Sequence, residues 1–130
     1  MTKQEHINYW LKSAEEDFET MNYLKKGKRF VHSLFFGHLY LEKISKALWV
    51  KNNKANHPPR IHNLLTLLEQ ANVKLNESQL LFLLKMNQYH IDGRYPEDIE
   101  RLKKITSGKL ANEYFSEIKT MEKCLLKELQ

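Results

Sequence analysis

The chain has 130 residues and a mass of 15.6 kDa, which suits one domain with a single core and is too short for two domains of ordinary size. Hydrophobic residues make up 42% and charged residues 28%, while four Gly and three Pro are too few for the many tight turns of a sandwich or small barrel. The longest apolar run, Leu80–Leu84, is far shorter than the roughly 20 residues of a membrane-spanning helix.

Charge and cysteine content indicate the compartment and the class of partner. Lys plus Arg outnumber Asp plus Glu by 21 to 16, giving a net charge of +5. This excess fits a polyanion such as nucleic acid or a nucleotide, and it also fits small cytosolic domains that bind no anion. No apolar stretch follows Met1–His6, and the single Cys124 cannot form an internal disulfide. We therefore expect no signal peptide and a cytoplasmic location.

The first predicted helix begins at a capping box formed by Thr2 and Glu5 and ends at Gly27. Its apolar residues recur every three or four positions and form one stripe: Ile7, Trp10, Leu11, Ala14, Phe18, Met21 and Leu24. We expect a short turn after this helix to lead into a second long helix that runs antiparallel to the first.

The second predicted helix runs from near Lys28 to about Lys51 and is apolar on nearly every side. Such a helix must be covered by several neighbours or by another subunit. Gly37 in its middle costs about 1 kcal/mol relative to alanine, a cost that is tolerable where another helix crosses closely.

Shorter helices follow a polar linker, Asn52–Pro59, that contains two prolines. The sequence predicts a third helix over Asn63–Gln70 and a fourth that opens with a capping box at Asn76. We expect the fourth helix to pass Asn87, to extend as far as His90 and to end at Asp92-Gly93.

The last part of the chain predicts two further helices. Pro96 suits the first turn of a short helix that ends near Ile105, Thr106–Gly108 break the chain, and a final amphipathic helix follows through Leu125. No segment alternates as a strand does. The sequence therefore predicts an all-α, up-and-down bundle of five or six helices forming a single domain over residues 1–130.

Charged residues in the middle of the second helix are the first candidates for chemistry. Glu42 and Lys46 form an i, i+4 pair, with Lys43 beside them, and His38 precedes Glu42 by one turn. One interpretation is a surface ion pair that contributes about 0.3–0.5 kcal/mol. The other is a polar stripe that faces a groove or a subunit interface.

A second candidate segment lies around Arg60 and His62, just before the third helix. His62 is either a neighbour of the helix cap or, with Arg60, part of a phosphate site. Two prolines separate His57 from His62, and no nearby Cys or Asp completes a ligand set. We therefore expect no metal site.

The segment from Tyr89 to Pro96 is the most informative. Arg94 is a bidentate anion binder, and Tyr95 beside it offers a ring that can stack on a base. The alternative is a structural turn in which Tyr95 packs into the bundle and Arg94 bonds helix carbonyls. Dinucleotide-binding, P-loop, His-Glu-x-x-His and nucleophile-elbow signatures are missing from the sequence.

Three segments together resemble the HEPN domain (higher eukaryotes and prokaryotes nucleotide-binding). They are Phe35–Leu48, with its Glu42-Lys43 and Lys46, then Pro58–Leu67, with its Arg60-x-His62-Asn63, and then Arg94-Tyr95-Pro96. The resemblance implies a helical bundle of the type found in the substrate-binding subunit of small nucleotidyltransferases. It also implies homodimers with the functional cleft near the subunit interface. Many members accompany a minimal nucleotidyltransferase in toxin–antitoxin pairs, and others are metal-independent endoribonucleases.

The nuclease members of the family carry an arginine followed, after four to six intervening residues, by a histidine near the start of a late helix. Arg94 matches the arginine, but Ile99, Glu100 and Arg101 occupy the positions where the histidine belongs. His90 comes before Arg94, which reverses the order. The sequence therefore favours binding without cleavage; a ribonuclease toxin that uses Arg94 with His90 or His62 is the alternative.

The resulting prediction is a protein that binds a nucleotide or an RNA phosphate, without a cofactor or metal, as a homodimer and as the accessory or toxin-like partner of a minimal nucleotidyltransferase. Its expected phosphate- and base-binding residues are Arg94, Tyr95, Tyr89, Arg60, His62, Lys43 and Lys46, and its expected interface stripe contains His38 and Glu42.

Overall fold

The computed structural model describes residues 1–130 and contains six helices and no strand. The helices are α1 (Lys3–Lys26), α2 (Phe30–Asn52), α3 (Leu64–Gln70), α4 (Glu77–Asn87), α5 (Pro96–Ile105) and α6 (Gly108–Glu128). The predicted all-α bundle is confirmed. None of these helices combines the length and the apolar character needed to cross a bilayer.

Helices α1 and α2 form an antiparallel hairpin that is fastened at both ends. At the open end, the Lys3 ammonium donates to the carbonyls of Val50 and Asn53, both at 2.7 Å, and so satisfies carbonyls at the end of α2. At the turn, Ser33 Oγ donates to the Met21 carbonyl at 2.7 Å. The predicted capping box between Thr2 and Glu5 is present at the start of α1.

Helix α2 is the central element and contacts all five other helices. An ideal Cβ built on Gly37 would lie 2.8 Å from Ile118 Cδ1 and 3.1 Å from Met21 Sδ, so α1 and α6 both approach α2 closely at this point. The condition under which Gly37 is tolerable in the middle of α2, a closely approaching helix, is therefore met. The cover that α2 needs comes from within the chain.

Helix α4 is shorter than predicted. It begins at the expected capping box of Asn76 and Gln79, but it ends at Asn87, so His90 and Asp92-Gly93 lie in the connection to α5. Asn87, the last residue of α4, bonds the start of α3 through its side chain. Gly93 in this connection has a φ of +76°, a conformation that favours glycine.

Candidate functional site

Five polar side chains meet where α2 faces the connections before α3 and after α4. We call this group the α2 cluster: His38, Glu42, Lys46, His62 and His90. The first three come from successive turns of α2 and are buried, whereas the His62 side chain is 51% exposed. The cluster therefore extends from the interior of the bundle to its surface.

Glu42 is the centre of the cluster. Its Oε2 accepts from Lys46 Nζ at 2.9 Å, and His62 Nδ1 lies 3.1 and 3.2 Å from its two oxygens. A carboxylate only accepts, so His62 Nδ1 carries the proton and donates it to Glu42. This leaves His62 Nε2 as the ring nitrogen available to a ligand at the surface.

Asn87 fixes the orientation of His38. Its Oδ1 accepts from the Leu64 amide at 3.1 Å, which identifies that atom as oxygen, and the same oxygen lies 3.2 Å from His38 Nε2. His38 Nε2 therefore carries the proton, and His38 Nδ1 presents a lone pair. Asn87 Nδ2 in turn donates to Asn63 Oδ1 at 3.0 Å.

Burial sets the protonation of the two inner histidines. Desolvation lowers the pKa of His38 to about 4, although the nearby Glu42 carboxylate opposes the shift. Burial, and then the neighbouring His62, lower the pKa of His90. Both imidazoles are accordingly neutral at pH 7.

The exposed end of the cluster opens into a cleft that we call the Arg94 cleft. Its volume is about 530 Å³, and its lining residues are His62, Asn63, Asn87, His90, Asp92, Gly93, Arg94, Tyr95 and Asp98. The rings of His62 and His90 stack at its inner wall, with centroids 4.1 Å apart and planes inclined by 17°. Segments that are distant in the sequence thus form one site.

Arg94 and Tyr95 are both exposed at the outer wall of the cleft. Arg94 Nε donates to the His90 carbonyl at 3.2 Å, and the guanidinium forms no salt bridge. The terminal nitrogens of Arg94 therefore remain available to a ligand. The Tyr95 side chain is 74% exposed and is not packed into the bundle.

Four of the predicted binding residues lie outside the cleft lining. Tyr89 is 1% exposed, and its hydroxyl lies 2.7 Å from Thr106 Oγ1, so its ring cannot stack on a base. Lys43 Nζ contacts Asp17 Oδ2 at 2.6 Å on the α1 side of α2. Arg60 is exposed elsewhere on the surface.

Lys46 is the fourth predicted binding residue outside the cleft lining, and its ammonium is bound to Glu42. Glu42 neutralises Lys46 as Asp17 neutralises Lys43, so neither lysine supplies the positive field expected at the cleft. The expected surface ion pair between Glu42 and Lys46 is buried instead, with side chains 4% and 9% exposed. His57 packs edge-on against His6 and does not join His62.

Five residues of the cleft were not predicted from the sequence as site residues: Asn63, Asn87, Asp92, Gly93 and Asp98. Asn63 caps α3 by accepting from the Leu65 and Thr66 amides, and Asn87 joins that cap to α2. The signal for Asn63 was present, because asparagine is a favoured capping residue immediately before a helix. Nothing local to Asn87 indicates that it pairs with His38.

Comparison with known families agrees with this architecture. The model of the HEPN domain family matches residues 7–126, which is nearly the whole chain. The chain belongs to the HEPN domain family, and this membership supports a nucleotide- or RNA-related role. No curated protein and no solved structure matches the chain significantly.

Proposed function

We propose that the protein binds a nucleotide or an RNA segment by its phosphate in the Arg94 cleft. The observation that carries the proposal is the meeting of Arg94 and His62 on one open cleft, although they are far apart in the sequence. Arg94 presents free guanidinium nitrogens, and His62 presents Nε2 because Glu42 holds its other nitrogen. Guanidinium groups bind phosphate oxygens in a bidentate manner.

The remaining lining favours a nucleotide over inorganic phosphate. Asp92 and Asp98 also line the cleft, and two carboxylates oppose the binding of a small, highly charged anion. Carboxylates accept hydrogen bonds from ribose hydroxyls and from the amino groups of bases. The exposed Tyr95 ring adds a surface on which a base can stack.

A calorimetric titration with ATP, GTP and short single-stranded RNA tests the proposal. We expect Arg94→Ala to weaken binding about 10-fold or more, since charge-assisted bonds contribute about 1.5–3 kcal/mol. Arg60→Ala is the matched control, because Arg60 is an exposed arginine outside the cleft. Equal loss of affinity in both variants, or no loss in Arg94→Ala, contradicts this site.

The Glu42–His62 pair favours a second candidate function, a metal-independent ribonuclease. With Nδ1 held by Glu42, His62 Nε2 would take the proton of a ribose 2′-hydroxyl as its oxygen attacks the adjacent phosphorus. The bond to the 5′-oxygen breaks, the leaving oxygen takes a proton from water, and a 2′,3′-cyclic phosphate remains. Arg94 would neutralise charge on the phosphoryl oxygens.

Incubation of RNA with the protein and a chelator distinguishes cleavage from binding. Cleavage should give 2′,3′-cyclic phosphate ends and should disappear in His62→Ala, while His32→Ala, which changes a histidine outside the cleft, retains it. Binding without cleaved ends leaves the first function alone.

We also propose that the protein forms a homodimer and works with a minimal nucleotidyltransferase, as the family resemblance suggests. An exposed apolar face on α4 supports a protein interface: Leu80, Leu81 and Leu84 are 43%, 52% and 56% exposed. Light scattering should show a dimer that Leu81→Glu dissociates.

Co-purification with the product of an adjacent nucleotidyltransferase gene tests the proposed nucleotidyltransferase partner, and purification of the protein alone contradicts that partnership.

A further inference from the structure

Two buried nitrogens in the α2 cluster have no hydrogen-bond partner. They are His38 Nδ1 and His90 Nδ1. His38 is completely buried, so water cannot satisfy its nitrogen from the bulk. A buried polar atom without a partner costs about 1–3 kcal/mol, and two in one cluster call for a ligand.

The arrangement around His38 places two acceptors opposite each other. His38 Nδ1 presents a lone pair, because Nε2 carries the proton that faces Asn87 Oδ1. That lone pair lies 3.7 Å from Glu42 Oε1, which is also an acceptor. Lys46 does not separate them, since its ammonium is bound to the other oxygen, Oε2. The pair of acceptors becomes favourable when a cation lies between them.

We propose that His38, Glu42 and His90 bind a divalent transition-metal ion of the zinc class. One ligand atom from each residue lies within 4.8 Å of the other two. Ligand atoms about 2.0–2.1 Å from a tetrahedral zinc ion are about 3.3 Å apart, so the three side chains must approach one another by up to about 1.5 Å to bind the ion, which leaves the fourth position open. Imidazole and carboxylate together suit Zn²⁺, Co²⁺ or Ni²⁺, whereas Mg²⁺ and Ca²⁺ prefer oxygen ligands throughout.

The surroundings of the three ligands resemble the support that metal sites receive. A metal-bound histidine usually donates its other ring N–H to a fixed acceptor, and Asn87 Oδ1 provides that acceptor for His38. Lys46 holds Glu42 Oε2, and His62 Nδ1 contacts both oxygens of the carboxylate, so the Glu42 side chain is fixed in orientation. The buried Lys46 ammonium repels any cation, so the bonds to the three ligands must outweigh this repulsion.

A metal site here departs from the sequence-based expectation of a protein without metal. That expectation rested on His57 and His62, whereas the structure groups His38 and His90 with Glu42. Metal binding does not depend on the proposed phosphate function. His90 nevertheless lines the Arg94 cleft, so a bound ion would lie next to it.

Cobalt titration of tag-free, chelator-stripped protein provides the test. We expect one equivalent of Co²⁺ to give the intense visible bands of a tetrahedral site and Zn²⁺ to displace it. His90→Gln and His38→Gln each remove a ligand and should weaken cobalt binding at least about 100-fold, the upper end of what loss of a supporting outer residue costs. His57→Gln is the control for the His6–His57 pair and should bind as the wild type does.

Three results would each overturn the proposal: loss of the cobalt bands in His57→Gln, equal binding by wild type and His90→Gln, or no binding by the wild type. Circular dichroism melts of the stripped variants exclude unfolding as the cause of a loss. Arg94→Ala should bind cobalt as the wild type does even if it no longer binds nucleotide, so failure of the metal site and failure of the phosphate site are distinguishable.

Discussion

The two sides of α2 are built on different principles. On one side, Gly37 allows α1 and α6 to approach closely, and Leu41 and Leu48 are completely buried in the apolar core. On the other side, His38 and Glu42 point from the same helix into a polar cluster that includes two unpartnered nitrogens. Gly37 therefore serves the close packing of helices, whereas the adjacent His38 belongs to the polar cluster.

This difference shows where the fold is stabilised and where it is able to bind. The apolar side gains free energy by removing side chains from water and packing them closely. The polar side places a carboxylate, a lysine and a histidine in the interior, where charges stabilise little unless they are paired. We infer that the apolar side sets stability, whereas the polar side is retained for a ligand.

The largest effect should follow from breaking the buried pair. Glu42→Leu leaves the Lys46 ammonium buried without a partner, and we expect the free energy of unfolding to fall by about 3–5 kcal/mol. Urea unfolding measures this change. Adding Lys46→Met to Glu42→Leu should recover most of the loss, because both charges are then replaced by apolar groups. A double variant that is as unstable as the single one would refute this explanation of the polar side.

A core truncation on the opposite side should cost somewhat less and should leave binding intact. Leu48→Ala removes a fully buried side chain from the main core, and we expect a loss of about 2–5 kcal/mol in the free energy of unfolding. Nucleotide and cobalt affinities, measured well below the melting temperature, should stay within about twofold of wild type. A parallel loss of binding would mean that the two sides are not independent.

Removing the asparagine that joins the polar segments should have an intermediate effect. Asn87→Leu deprives the Leu64 amide and His38 Nε2 of their acceptor, which we expect to cost about 1–3 kcal/mol. Gln88→Leu is the control, since the Gln88 side chain is next in sequence and forms no hydrogen bond. Thermal melts of the two variants should differ; coincident melts would show that Asn87 does not hold the segments together.

The smallest effect concerns the hydrogen bond across the α1–α2 turn. Ser33→Ala removes the bond to the Met21 carbonyl, and we expect a loss of about 1 kcal/mol because that carbonyl lies within helix α1. Thr20→Ala, which removes a more exposed bond within one helix, should cost less. A larger loss in Thr20→Ala than in Ser33→Ala would contradict the importance of this contact between the helices.

The helices were predictable because their signals are local. Capping residues at Thr2 and Asn76, apolar periodicity and Pro96 at the start of α5 each act within one or two turns. The end of α4 was misplaced: the amides of Gln88, Tyr89 and His90 bond to carbonyls three residues back, so the helix does not continue, and the Asn87 side chain bonds across to the start of α3. A contact between distant segments leaves no periodic trace in the sequence.

The site was only partly predictable for the same reason. Arg94, Tyr95 and His62 were recognised from residue type and position, and all three line the cleft. Tyr89 was misassigned because a tyrosine near a turn looks the same in sequence whether its ring faces solvent or the core. The grouping of His38 with His90 depends on the packing of α2 against the α4–α5 connection, which no spacing in the sequence reveals.

The nitrogen resonances of the histidine rings test binding in the Arg94 cleft most directly, because they report on the cleft residue by residue. In chelator-treated protein titrated with ATP or short RNA, we expect saturable shifts of His62 Nε2 and of the His90 ring, with His6 and His57 unchanged as internal references. Arg94→Ala should require about 10-fold or more ligand to reach the same shifts. Saturating ligand that leaves His62 unmoved, or that moves His6 and His57 instead, would contradict binding at this site.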